Sequence, residues 1–171
     1  MQLRLFVISL FVVCLFTGCP GQNRPAGMPE LFSCKITITQ GGQPLQDALV
    51  DLAPEEAALG WTITGITDAK GIATIKTQGI YDGVPAGAYK VCVSKAESAP
   101  SKFPPPTESA TAAPAAWDEW RRNVETEIVP RYSLVKPEYN DKTQTPHSIT
   151  VTKGKNNATF DVGEAIKEEI K

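Results

Sequence analysis

Cys34-Lys35-Ile36-Thr37-Ile38-Thr39 alternates apolar with polar side chains at every step. A period of two is the mark of a strand with one face buried, because successive side chains leave a strand on opposite sides. Working forward, Gly41-Gly42-Gln43-Pro44 breaks the run, and Ala48, Val50 and Leu52 resume it before a loop from Pro54 to Gly60. Trp61 to Ile66 is rich in Thr and Ile and reads as a third strand. Thr67-Asp68-Ala69-Lys70-Gly71 is a tight reversal, in which Asp68 can bond backbone two residues on and Gly71 tolerates positive φ. Ile72 to Thr77 is expected to return as the partner strand. After turn signals at Asp82-Gly83 and Pro85-Ala86-Gly87, Tyr89, Val91 and Val93 alternate with Lys90, Cys92 and Ser94. Short strands punctuated this regularly predict an all-β sandwich or barrel.

Beyond residue 95 the composition changes. Residues 96–116 hold five Pro and seven Ala and cannot build a core, so they are expected to form an exposed excursion. Trp117, Trp120, Val124 and Ile128 then recur near helical spacing, with Asp118 and Glu119 placed for a first turn and Pro130 as a stop. Tyr132 to Pro146 reads as irregular. A closing hairpin is expected from Ile149 and Val151, a turn at Gly154-Lys155-Asn156-Asn157, and Ala158, Phe160 and Val162. That hairpin brings the count to seven strands, and residues 117–163 would complete the sandwich begun by 31–95. Residues 164–171 read as a charged tail or frayed helix.

Working backward, residues 1–18 carry one charge, Arg4, and an apolar-to-small run from Leu5 to Phe16. This is too short to span a bilayer, which takes about 20 residues, and has the form of a secretory signal peptide. Its exit, Leu15-Phe16-Thr17-Gly18-Cys19, resembles the lipobox cut by bacterial lipoprotein signal peptidase. Phe16, Thr17 and Gly18 would be recognised by the peptidase, with Phe16 departing from the usual Leu, and Cys19 would carry a diacylglycerol and acyl chains such as palmitate. Two or more chains hold a protein stably on a membrane. Pro20 to Glu30, with three Pro and two Gly, extends Cys19 into a flexible tether over 19–30. Removal of Arg4 with the leader takes the formal net charge from −2 to −3, which argues against nucleic acid as a partner.

Three motifs together resemble carboxypeptidase regulatory-like domains: Gly42-Gln43-Pro44-Leu45 with Ala48-Leu49-Val50, then Gly65-Ile66-Thr67-Asp68-Ala69-Lys70-Gly71, then Pro85-Ala86-Gly87-Ala88-Tyr89-Lys90-Val91. Val129-Pro130-Arg131-Tyr132 and the closing strands look like bacterial lipoproteins that carry this domain after a lipobox. The resemblance implies a seven-stranded transthyretin-like (prealbumin-type) β-sandwich, with one short helix in a long insertion. Asp68, Gly71, Pro85, Gly87 and Tyr89 are its turn and strand signature. The family is an accessory module, so it implies no enzyme. The hydrolases and dioxygenases that share a similar sandwich need several histidines.

Only one histidine is present, His147, and no nucleophile motif surrounds any serine, so a Ser-His-Asp constellation is not expected and His147 reads as a loop residue. Cys34 and Cys92 stand apart from further Cys or His, which does not suit zinc, and Lys70 occupies a position where a calcium loop needs an oxygen. Neither a metal nor a cofactor is expected beyond the acyl lipid. Asn157-Ala158-Thr159 is a glycosylation sequon by letter alone. An even pair of thiols in an exported chain suggests a Cys34–Cys92 disulfide. Strand alternation opposes it, since Cys34 shares a face with Ile36 and Ile38 whereas Cys92 alternates against Tyr89, Val91 and Val93. Trp117, Trp120 and Tyr132 could instead pack a helix on the sandwich or form a platform for a sugar ring or a protein. The expected function is a non-catalytic envelope lipoprotein, anchored on the exported side of a bacterial membrane and binding an envelope protein or glycan. A carbohydrate-binding module is the alternative, and an envelope hydrolase dependent on His147 a more distant one.

Overall fold

The side chains that alternate inward from Cys34 meet, across the molecule, those that alternate inward from Val50 and Tyr89. The computed structural model describes residues 24–56 and 60–170. Phe16, Thr17, Gly18 and Cys19 lie outside the described residues. One sheet has six strands in the order β13 (Ser148–Val151), β10 (Gly87–Ser94), β4 (Leu49–Pro54), β5 (Ile63–Ile66), β7 (Lys76–Thr77) and β8 (Tyr81–Asp82). The facing sheet centres on β2 (Cys34–Gln40), with β14 (Asn156–Asp161) on one edge and β3 (Gln43–Pro44) and β6 (Ile72–Thr74) on the other. A short pair, β1 (Leu31–Phe32) with β9 (Val84–Pro85), closes the end where the chain enters. Cys34, Ile36 and Ile38 interleave with Val50, Leu52, Ile63, Tyr89, Val91 and Val93 in one buried core. Each large aliphatic side chain so buried contributes roughly 1.5–3 kcal/mol against exposure. The fold is an all-β sandwich, and six of the seven expected strands are present as single strands among the described residues, the seventh being divided between the sheets.

Three of the expected strands pair otherwise than expected. Residues 72–77 are not a single partner for β5. The chain changes sheet at Ile75: β6 pairs with β2, β7 pairs with β5, and the buried Ile75 donates its N–H to the Cys34 carbonyl at 3.0 Å. The closing hairpin is also corrected. β13 pairs antiparallel with β10 in the first sheet, whereas β14 runs parallel to β2 in the second. Alternation tells which side chains face the core, and a corner between two sheets keeps the same alternation as a hairpin. Asn156 turns the corner: its Oδ1 accepts the Thr152 N–H at 3.0 Å, its Nδ2 donates to the Thr152 carbonyl at 2.9 Å, and its N–H donates to the Ser33 carbonyl at 2.9 Å.

A third, small sheet closes the opposite end. β11 (Ala96–Ser98) and β15 (Glu168–Glu169) flank β12 (Arg131–Ser133). The last residues are therefore no free tail: Lys167 pairs with Glu97 at 2.6 Å, and the Ile170 N–H donates to the Arg131 carbonyl at 2.8 Å. β11 and β12 gather the two ends of the 99–130 excursion. Its helix, α1 (Pro114–Glu125), starts three residues before Trp117, with a proline in the first turn where the missing N–H costs nothing. Asp118 and Glu119 thus fall in the second turn rather than the first, and the helix ends before Ile128, which is 93% exposed. No residue of α1 is buried, so the helix does not pack into the sandwich.

Asp161 fixes β14 to β2. Its Oδ2 accepts the Thr39 hydroxyl at 2.7 Å and the Gly42 N–H at 2.9 Å, and its Oδ1 accepts the Gly163 N–H at 2.8 Å. These bonds, the Thr39 hydroxyl first, hold its carboxyl below the usual carboxylate range. A depressed folded pKa gives stability that is complete above the unfolded value, about 3.9, and is lost as pH falls through the lower folded value. Asp161→Asn should therefore lower stability at neutral pH, and the difference from the parent should shrink as pH drops below about 4. Urea denaturation at a series of pH values measures both; a gap that stays constant down to pH 2 would contradict it.

Candidate functional site

Several residues of the three sequence motifs have a structural task. The Asp68 carboxylate accepts the Lys70 N–H at 2.8 Å and the Ile72 N–H at 3.0 Å, which depresses its pKa, the Ile72 bond most. Gly71 has φ of +74°, and a Cβ there would stand 2.4 Å from the Ile38 carbonyl oxygen, whose strand receives the turn directly. Thr67 lies buried beside them, its hydroxyl accepting the Ala48 N–H at 2.8 Å. At the other motif the Tyr89 hydroxyl donates to the Pro85 carbonyl at 2.9 Å, with the ring 1% exposed and Gly87 tucked against it. This is a tyrosine corner, a side chain reaching back to tie a turn to its own strand. Thr67 and Tyr89 are buried, and the exposed Asp68 carboxylate is engaged by its own turn.

The two cysteines are unbonded and buried, which corrects the expected disulfide. Cys34 joins the core between the sheets, whereas Cys92, opposite Asp51 on β4, is not part of that core. Alternation decided the matter: the sulfurs leave their strands on different faces. Burial pushes the Cys34 thiol up to about 11 and raises that of Cys92 as well, aided by the Asp51 and Asp141 carboxylates. Both are therefore poor nucleophiles. His147 is not a free loop side chain. Its ring stacks on Tyr139 at 5.3 Å and packs tilted against Phe160 at 4.8 Å, and its Nε2 lies 3.0 Å from the Asp161 carbonyl oxygen. The stack ties the start of β13 to the end of β14. Nothing in the sequence pattern announced it, because Tyr139 and Phe160 approach His147 only through the corner. Among the described residues no group of three His, Cys, Asp or Glu side chains converges as a metal site would.

The tryptophans are where the excursion gains structure. Trp117 and Trp120, three apart on one face of α1, meet edge to face with centroids 5.2 Å apart. Their indole N–H groups donate across to the preceding segment, Trp117 to the Glu108 carbonyl at 2.7 Å and Trp120 to the Phe103 carbonyl at 3.1 Å. Between those carbonyls run Pro104, Pro105 and Pro106. The Glu127 carboxylate pins the entry to this segment, accepting the Ser101 hydroxyl and the Lys102 N–H. Tyr132 is not part of this pair: it belongs to β12, with the Lys167 ammonium 4.8 Å over its ring. The segment from Phe103 to Glu108 is the partner that sequence reading missed. A Pro-rich run and a Trp-x-x-Trp pair nearby were the available signal.

No family model and no curated protein matches the chain. Among solved structures it is similar to the major pilin subunit of Bacillus cereus, BcpA in a D312A form, with a TM-score of 0.38 and 14% identity over 84% of this chain. The chain spans 31% of that pilin's length. No described helix is long and apolar enough to cross a membrane.

Tyr89→Phe should cost about 1 kcal/mol, since the Pro85 carbonyl loses its buried donor while the ring still fills its space. Urea unfolding should show a lower midpoint with an unchanged slope; an unchanged midpoint would mean the corner does not bear on stability. Cys34 and Cys92 should resist iodoacetamide in the native protein at pH 8 and both react once it is unfolded without reductant. Mass spectrometry reads the outcome, and two thiols still blocked after unfolding would signify a bond.

Proposed function

We propose that this protein is a cell-envelope lipoprotein, held to a bacterial membrane through Cys19, whose non-catalytic β-sandwich serves as a binding or structural module. The observation that carries the reading is the run Leu15-Phe16-Thr17-Gly18-Cys19 after a short apolar leader and before a Pro- and Gly-rich tether. The layout of the fold supports it. The chain enters through β1, paired with β9 just before the start of β10, while the excursion leaves just after the end of β10. The eight residues of β10 separate these ends by about 24 Å. An anchor on the entry side thus leaves the opposite end clear of the lipid.

The finer family reading, a carboxypeptidase regulatory-like domain of transthyretin type, is supported by where the three motifs fall. Asp68, Gly71 and Tyr89 each occupy a turn or strand position whose geometry suits that residue type. A non-catalytic role is supported by the fate of the described reactive side chains: the Cys34 and Cys92 thiols lie buried with raised pKa, and the His147 imidazole is packed between two rings.

Cys19→Ser in the full chain should abolish acylation and move the protein from the membrane fraction to the soluble envelope fraction. Intact mass of the mature parent should show a chain beginning at an acylated Cys19. A serine variant that sediments with membranes as the parent does would overturn the anchor.

A further inference from the structure

The tryptophan pair of α1 is engaged by its own chain in a manner that suits a separate ligand. Prolines carry no N–H and adopt an extended form without internal backbone hydrogen bonds, so their neighbourhood presents free carbonyls. Here Trp120 and Trp117 take the carbonyls on either side of Pro104–Pro106, at Phe103 and Glu108. Aromatic side chains receiving a Pro-rich strand are a recurrent mode of peptide recognition. The contact is also cheap to open. No residue of α1 is buried, Phe103 is 39% exposed, and Pro104 and Pro105 are exposed, so little apolar surface holds the segment down.

The geometry points to α1 as a docking site for an extended proline-rich segment of a partner protein, with residues 103–108 as a built-in competitor that closes the site until displaced. The occupant is inferred from the segment already seated there, whose chemistry defines what fits. The inference rests on the binding-module reading but not on the lipid anchor, because the site lies at the end remote from the chain's entry. A tethered segment acts at high effective concentration, so the site is masked and a ligand in trans binds with an affinity reduced by the fraction open.

The test uses the full chain in detergent micelles and a fluorescein-labelled peptide carrying residues 101–109, followed by anisotropy. Replacing Pro104, Pro105 and Pro106 together by alanine loosens the internal segment without touching the tryptophans. The peptide should bind this variant about tenfold more tightly than the parent, since each proline lost weakens the preorganised competitor. Adding Trp120→Ala to that variant should remove binding, while the Trp61 indole resonance remains in place as a marker of an intact sandwich. Binding should shift the indole N–H signals of Trp117 and Trp120 and leave that of Trp61 unmoved. Equal affinity for parent and triple variant, or binding that survives Trp120→Ala, would overturn the proposal. Concentration-dependent dimerisation of the parent, lost in Trp120→Ala, would also overturn it by making the occupant a second copy. Failure of the anchor would leave all these readings unchanged.

Discussion

The sandwich depends on the pairing of its last long strand with its first. β14 lies parallel to β2 from Asn156 beside Cys34 to Asp161 beside Thr39. The chain lays β13 against β10 on the other sheet and then crosses, through residues 152–155, to run parallel to β2. That crossing makes two sheets into one closed body. It also binds residues about 120 positions apart, as in the Thr39–Asp161 bond with its separation of 122. Contacts of such range must first offset the entropy of closing the loop, which grows slowly with length but is unrewarded until the ends meet. The Asp161 carboxylate is well suited to secure the closure: it bonds the hydroxyl of Thr39 and the backbone of the following turn in one gesture.

The same constraint explains why a long, poorly packed insertion is tolerated. Lengthening a loop whose ends are already close adds little cost. β11 and β12 bring Ser98 and Arg131 together, and β15 covers the other edge of β12. The excursion therefore hangs from a short, fully paired base and places no demand on the core. Its internal order comes from another source, the indole-to-carbonyl bonds and the Glu127 carboxylate, so it can change without disturbing the sheets.

What could be read from the sequence follows from what alternation encodes. It specifies which side chains are buried, and so the positions of β2, β4, β10, β13 and β14 were legible, as was the quarrel between Cys34 and Cys92. It does not specify which sheet a strand joins. Hence Ile149-to-Val162 looked like a hairpin and Ile72-to-Thr77 like one strand. β12 and β15 had no signal, because two or three mostly exposed residues show no period. For α1 the first tryptophan was a poorer start marker than Pro114, whose fixed φ suits the first helical turn. Of the residues singled out, Trp117 and Trp120 come together, whereas Tyr132 goes to a different sheet under Lys167.

A division of labour results that composition alone obscures. Turn residues such as Asp68, Gly71 and Tyr89 are spent on fixing geometry: the Gly71 position admits no Cβ, and the Tyr89 hydroxyl is satisfied by the Pro85 carbonyl. Their distinct chemistry is thus a demand of the fold and gives no information about ligands. The tryptophans differ in kind. They stabilise no core, and their N–H groups hold a segment that low-complexity composition would otherwise leave unstructured. With Cys34 and Cys92 buried and His147 packed between two rings, two partly exposed indoles at the end remote from the chain's entry are where recognition can act without a cost to the sandwich.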